Sequence, residues 1–279
     1  MIGADDDVGF RELTGKISRE RGFGTANYKG TVLRRRLAVR MRARGAADYG
    51  AYSRILDADP LEYERLIDAL TINVTKVYRN PDTWDAVVAQ VLPVLWRSGA
   101  PRLRCWVAGC SSGEEAYTLA ALWHRFVSTR LTPAATAAAP LARVRIVASD
   151  IDRRSLEAAT RGTYAEAAFS ETPEPLRHRY FAAVPAGGES AVPELRALID
   201  FERRDLLLDP PPNGPIQLIT CRNVIIYFDR ASQESLMRRF HETLAPGGFL
   251  VLGKVETLLG PTRSLFEAVD LRQRIFRRP

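Results

Sequence analysis

The sequence predicts an α/β protein: an open, doubly wound and largely parallel sheet, preceded by an all-α domain and interrupted by a small inserted subdomain. Three observations carry that expectation. Arg104–Ala108 is a short apolar run of strand formers, Gly109–Gly113 is a turn of small residues, and Glu114–Trp123 has helical spacing of apolar positions. A buried strand, a glycine turn and a helix start form the first βα unit of such a sheet, where ligands bind at the carboxyl ends of the strands. Further strand-like runs end in polar residues at Asp150, Asp205 and Arg222–Asn223. Everything before about residue 70 reads as helix.

Composition narrows the class. Hydrophobic residues at 46% and charged residues at 26% are ordinary for a globular chain. No run of about 18 apolar residues is present, so no transmembrane helix is expected. The first residues, Met1 to Asp7, are acidic and lack the apolar core of a secretory signal, which points to a cytoplasmic protein. Three cysteines and three histidines have no zinc-site spacing, so no metal is expected and the thiols are read as buried and reduced. The net charge of +7 asks for an anionic partner.

In chain order, Phe10–Gly22 predicts an amphipathic helix, with Phe10, Leu13 and Ile17 on one face. From Lys29 to Arg44 there is no acidic residue; Leu33, Leu37 and Met41 make an apolar stripe beside Arg36, Arg40 and Arg44, and Arg34, Arg35 and Arg42 add charge. An uncompensated cluster repels itself, so a partner is expected there. Tyr49–Leu56 and Leu61–Leu70 are two further helices, the second announced by Asp59-Pro60. Thr71–Asp82 is read as a loop into a helix over Thr83–Leu95, and Ser128–Ala142 as a low-complexity loop. Val144–Asp152 is a second strand, followed by a helix over Arg154–Arg161. From Thr163 to about Asp200 no long period appears, which suggests an inserted subdomain or a cover over the crevice. Ile199–Leu207 and Ile216–Asn223 restore the strand pattern. Ser232–Leu244 is a helix, Pro246–Gly248 a tight turn, Phe249–Gly253 a strand, and Leu271–Arg277 a final antiparallel strand. Residues 1–75 then form a helical domain and 76–279 the sheet domain, with the insertion at about 163–200.

The ligand follows from the turn. It contains no Gly-x-Gly-x-x-Gly and no Gly-Lys-Ser/Thr, so dinucleotides and triphosphates lack their phosphate cradle. Glu114 and Glu115 stand where a diphosphate would need amides. A strand ending in an acid such as Asp150 grips a ribose diol. A ribose with a positively charged group fits both features, and S-adenosylmethionine has both.

Specific motifs then accumulate. They are Asn73-Val-Thr-Lys-Val-Tyr-Arg79, Cys110-Ser-Ser-Gly-Glu-Glu-Ala-Tyr117, Ala148-Ser-Asp-Ile-Asp152, Cys221-Arg-Asn-Val-Ile-Ile-Tyr-Phe-Asp229 and Leu244-Ala-Pro-Gly-Gly248. On these, nearly the whole chain resembles the chemotaxis receptor glutamate O-methyltransferases, the CheR family. The resemblance implies a Rossmann-like S-adenosylmethionine methyltransferase sheet. It implies that Asn73, Thr75 and Arg79 reach the cofactor from the helical domain, that Glu115 holds its methionyl part and that Asp150 takes the ribose. Asp205, Leu206, Arg222 and Asn223 would line its adenine and methionine ends. Arg79 and Tyr227 would lie near the transferred methyl, and S-adenosylhomocysteine would be the product.

The implied substrate is a set of glutamate side chains on the cytoplasmic helices of chemoreceptors, with Arg34, Arg35, Arg36, Arg40, Arg42 and Arg44 as the docking surface for acidic helices. The reaction is then expected between the two domains. No nucleic acid and no membrane insertion are implied. The chain departs from the family in three places: Val77-Tyr78 replaces an aromatic pair, Asp205 replaces an Asn, and Gly253-Lys-Val-Glu256 keeps only the glutamate of Gly-His-Ser-Glu. The inserted region shows no strand pattern, so docking of a receptor's C-terminal tail peptide is not supported. Two other readings are a non-catalytic relative that binds S-adenosylmethionine or another nucleotide as a sensor, and a nucleic-acid methyltransferase. The second lacks aromatic residues among its arginines and a motif for a flipped base.

Overall fold

The computed structural model describes residues 4–70, 75–130 and 141–279. Its contacts divide into two compact units, residues 1–72 with Tyr227–Ser232, and residues 73–226 with 233–279. The acidic tip at Met1, the loop positions 71–74 and most of the low-complexity stretch lie outside the described residues.

The first unit is built from four helices, α1 (Ala4–Arg21), α2 (Gly30–Ala43), α3 (Tyr49–Ala58) and α4 (Pro60–Leu70). Of the stripes expected from spacing, Leu13 and Ile17 of α1 and Leu33 and Leu37 of α2 are buried, while Phe10 and Met41 at their ends are half-buried. Asp48 caps α3, its carboxylate accepting from the Ala51 N–H at 2.7 Å. Tyr227–Ser232 joins this unit through backbone bonds. The Lys29 N–H donates to the Tyr227 carbonyl at 3.0 Å and the Asp229 N–H to the Asn27 carbonyl at 2.9 Å. The Tyr28 and Phe228 rings meet edge-on at 5.2 Å.

The arginine-rich helix is less uncompensated than its own sequence indicates, because its acids come from elsewhere in the fold. Arg40 Nε donates to the carboxylate of the fully buried Glu62 at 3.0 Å, and the Tyr52 hydroxyl donates to it at 2.7 Å. Arg44 pairs with Asp59 at 2.9 Å, and Arg34 with Asp6 at 3.1 Å and with Asp7.

The second unit is a seven-stranded sheet in the order β6-β2-β1-β7-β8-β10-β9. Its strands are β1 (Leu103–Ala108), β2 (Val144–Asp150), β6 (Ile199–Arg203), β7 (Ile216–Cys221), β8 (Leu244–Leu252), β9 (Glu267–Asp270) and β10 (Ile275–Arg277). The pairs among β6, β2, β1, β7 and β8 are parallel, and β10 runs antiparallel to β8 and β9. The chain moves from β1 to β2 on one side and later returns to β7 on the other, so the switch point lies between β1 and β7. Strands buried on both faces need continuous apolar runs, and β7 is buried along its whole length. The three cysteines are buried and free, and burial pushes the Cys105 thiol up to about 12.

Four details differ from the sequence expectation. The insertion contains a three-stranded antiparallel sheet in the order β3-β5-β4, from β3 (Thr163–Tyr164), β4 (Phe181–Ala183) and β5 (Glu189–Ala191). Strands of two or three residues are too short to display an alternation, so the absence of a strand pattern, and the argument against tail-peptide docking drawn from it, do not stand. Pro246–Gly248 is not a turn before a strand but an interruption inside β8, where the register jumps from Ile216↔Leu244 to Leu218↔Phe249. The terminal edge is a hairpin of β9 and β10. The helix expected over Thr83–Leu95 runs as α5 (Pro81–Ala86), a π-turn (Val87–Val91) and α6 (Leu92–Arg97).

Burial alone raises the Glu62 pKa, but the bonds from Arg40 and Tyr52 outweigh it and hold the carboxyl below its ordinary value. Its stabilising contribution is therefore complete above the unfolded carboxylate pKa of about 4.3 and is lost as pH falls through the lower folded value. Arg40→Met leaves a buried charge short of its main partner and should destabilise the helical unit by about 3 kcal/mol at neutral pH. A urea titration checks this, and the difference from wild type should shrink as Glu62 is protonated.

Candidate functional site

The turn after β1 is shaped by contacts that a side chain would break. Gly109 has φ +82, and a Cβ there would come within 2.5 Å of Val224 Cγ2. Gly113, φ +94, has Ala159 Cβ 2.8 Å from the same virtual atom. Both positions need glycine for conformation and for space. The N–H groups of Gly109 and Cys110 donate to the Ser149 carbonyl at 2.8 and 2.9 Å, which locks the turn to the end of β2. Helix α7 (Glu114–Ser128) starts directly after it.

Asp150 lies at the tip of β2. Its carboxylate accepts from the Ser111 N–H at 2.8 Å and the Asp152 N–H at 3.0 Å. Burial raises its pKa against the opposing pull of those bonds. The Arg204 N–H bonds to the Asp150 carbonyl at 2.9 Å, so the end of β6 is tied to the same point. Leu206 is buried nearby in sequence. Asp205 lies two residues past the end of β6, and its Oδ1 accepts from the N–H groups of Leu207 (2.8 Å) and Leu208 (3.2 Å). Where an amide would keep a donor, this carboxylate caps the following turn.

One guanidinium joins the remaining parts. Arg222, 6% exposed, follows β7, and its Nη1 donates to Glu115 at 3.1 Å. Its Nη2 donates to the Arg79 carbonyl at 2.9 Å and to Asn80 Oδ1 at 3.0 Å. Its plane lies 4.9 Å from the centre of the buried Trp84 ring. Thr220 completes the Glu115 contacts, its hydroxyl donating at 2.6 Å. Among the buried polar atoms without a partner in the described residues, three belong to this cluster: Arg222 Nε, Trp84 Nε1 and Asn223 Oδ1. A donor and an acceptor left open beside two carboxylates fit a ligand that carries both polarities.

Thr75, expected at the end of the helical domain, groups with Arg79 in the sheet unit. The insertion holds their segment: the Val77 N–H donates to the Ala168 carbonyl (3.0 Å), the Asn80 N–H to Glu171 (2.8 Å) and the Thr172 hydroxyl to the Val77 carbonyl (2.9 Å). The Tyr78 N–H bonds to Thr118 of α7 at 2.8 Å. Tyr78 and Asn80 adopt positive φ of 60 and 59, which turns the chain back at Arg79. Thr75 and Arg79 are half-buried. Asn73 lies outside the described residues.

Tyr227 and the arginines belong to the helical unit. Tyr227 is half-buried, as is Arg36, whose Nε is buried without a partner among the described residues. Arg35 and Arg42 are exposed, and Arg42 Nε turns back to the Ala38 carbonyl at 3.2 Å. Arg34 also lies over the Phe10 ring at 4.0 Å. Arg34, Arg40 and Arg44 are spent on internal ion pairs. Residues that sequence reasoning missed are Trp84, Asn80, Thr220 and Glu256. Only Glu256 left a trace, as the acid that closes Gly253-Lys-Val-Glu256.

Two family models match this chain. "CheR methyltransferase, SAM binding domain" covers residues 73–275, and "CheR methyltransferase, all-alpha domain" covers residues 9–71. Among curated relatives, the chemotaxis protein methyltransferase of Listeria monocytogenes is 35% identical over 89% of this chain and 90% of its own length. That of Escherichia coli K12 is 32% identical over 90% of this chain and 84% of its own. The putative methyltransferase Cher3 of Pseudomonas putida is 32% identical over 98% and 97%.

Gly109→Ala combines an unfavourable φ with a steric overlap on Val224, and should cost about 2–4 kcal/mol of stability in the sheet unit. Thermal unfolding checks it; an unchanged midpoint would mean that the turn is not held as described.

Proposed function

The chain belongs to the CheR methyltransferase family, and on that premise we propose that it methylates glutamate side chains on the cytoplasmic helices of chemoreceptors. Its methyl donor is S-adenosylmethionine, bound by the sheet domain. The observation that carries the proposal is the placement of Arg222, which ties the Arg79 segment to Glu115 across the switch point. The names of the relatives support chemotaxis as the setting. No helix among the described residues is long and apolar enough to cross a membrane, in keeping with a protein that meets receptors from the cytoplasm.

When bound, the donor supplies an electrophilic methyl on a positively charged sulfur. The protein's own residues then have modest chemical work. Glu115 and Asp150 offer carboxylates to the ammonium and the ribose diol, and Asn223 Oδ1 and Arg222 Nε offer an acceptor and a donor at the same strand tips. Asp205 and Leu206 border the base. A substrate glutamate is already ionised at neutral pH, so no general base is required. Alignment of the attacking oxygen is the main requirement, and Arg79 and Tyr227 are assigned to it. Arg35 and Arg42 are exposed, have no acidic partner among the described residues, and are the members of the basic helix left to meet an acidic receptor.

Incubation with methyl-labelled S-adenosylmethionine and chemoreceptor cytoplasmic fragments should give base-labile label in the receptor. Arg79→Ala should lower that transfer by at least about 100-fold, on the scale of losing an aligning charge. Label stable to base, or cofactor binding without any transfer, would favour another acceptor or a sensor. Charge reversal at Arg35 and Arg42 should raise the receptor KM by about tenfold while cofactor affinity stays unchanged; an unaltered KM would remove the basic helix from docking.

A further inference from the structure

Glu256 is a buried carboxylate, 2% exposed, that no step of the proposed transfer uses. No cation in the described residues pairs with it. It is instead surrounded by backbone donors: the N–H of Gly253 at 2.7 Å, of Asn223 at 2.8 Å and of Val224 at 2.8 Å, with the Ile226 N–H adding to them. Its two oxygens therefore clamp the end of β8 to the segment that follows β7. A neutral side chain cannot satisfy such a set, because an amide offers one acceptor oxygen and turns an NH2 toward the remaining donors.

The clamped segment includes Asn223. That residue sits at φ 61, in the left-handed region that Asn adopts more readily than other non-glycine residues, and its Oδ1 is buried without a partner among the described residues. A left-handed residue with an open acceptor persists only when its surroundings hold it. The bond from the Asn223 N–H to Glu256 is the hold. The neighbouring Gly253 leaves room for it: a Cβ there would lie 2.7 Å from Glu256 Oε2 and 2.8 Å from the Asn223 nitrogen.

We propose that Glu256 is a positioning residue for the methyl donor, fixing the Asn223 backbone so that its side-chain amide meets the bound nucleoside. This rests on the function proposed above, because Asn223 must face the donor for Glu256 to act through it. Glu256 touches neither the donor nor the receptor in this assignment. Its influence passes through the peptide N–H groups of the Asn223 segment.

The test is a double-mutant cycle read by calorimetric titration of S-adenosylhomocysteine into the full chain. Glu256→Gln should weaken binding by roughly 10- to 100-fold, the range for leaving buried donors unsatisfied. Asn223→Gly keeps the left-handed backbone and removes the side chain. In that background Glu256→Gln should cost less than about threefold more, since the group it positions is gone. A purely structural carboxylate would cost the same in both backgrounds, and that result, or wild-type affinity in Glu256→Gln, overturns the assignment. If Glu256→Gln does not fold, Glu256→Asp keeps the charge but shortens its reach to the Asn223 N–H and should reproduce the loss, while undiminished binding there overturns the assignment equally. Failure of the wild-type chain to bind S-adenosylhomocysteine would instead overturn the proposed function.

Discussion

The structure of the sheet unit depends on one buried guanidinium. Arg222 has its charge met by Glu115 and its second nitrogen by the Arg79 carbonyl and Asn80. Taking such a group out of water is costly, and only a nearly complete set of partners offsets it. The partners come from the first turn of α7 and the segment before α5, and the guanidinium itself from the tip of β7. Arginine suits this position better than lysine, because its planar fork reaches several acceptors at once and stacks over Trp84. Loss of any partner would leave a charge buried, so these segments hold one another in register.

The small inserted sheet has a corresponding task. Its Phe169 and Phe181 rings meet at 4.9 Å, and Tyr164 reaches from it to the Ser112 carbonyl of the glycine turn at 2.8 Å. Through Ala168, Glu171 and Thr172 it also holds the chain around Arg79. The insertion therefore serves as a buttress for two of the segments that Arg222 joins. Nothing in its composition announces this, because each contact has a backbone group on at least one side and joins residues at least 52 positions apart.

The sequence made the sheet legible where burial enforces a pattern. Leu103–Ala108 and Ile216–Cys221 are largely apolar because both faces are covered, Val144–Asp150 is buried over most of its length, and the polar tips mark the carboxyl edge. It was silent where strands are short or where the pairing is long-range. β3, β4 and β5 are too brief for period two, and β8 carries an interruption that reads as a boundary. The arginine helix shows the limit most clearly. Along its own helix the charge is uncompensated, but the fold brings Glu62 from α4, Asp59 from the junction before it, and Asp6 and Asp7 from α1 to three of those arginines. The carboxylate–guanidinium contact between Glu115 and Arg222 is likewise invisible in the sequence, because the two residues lie 107 positions apart.

The central claim is that the β1–β7 switch point is built for a charged nucleoside without a diphosphate. It places acids at the turn where phosphate-binding folds place bare amides, and an open acceptor and donor beside them. A calorimetric titration of the wild-type chain with S-adenosylhomocysteine, set against ATP and NAD, addresses it most directly. The account predicts saturable one-to-one binding of S-adenosylhomocysteine and none of the two phosphate-bearing nucleotides. Binding of ATP or NAD, or no binding of S-adenosylhomocysteine at millimolar concentration, would contradict it.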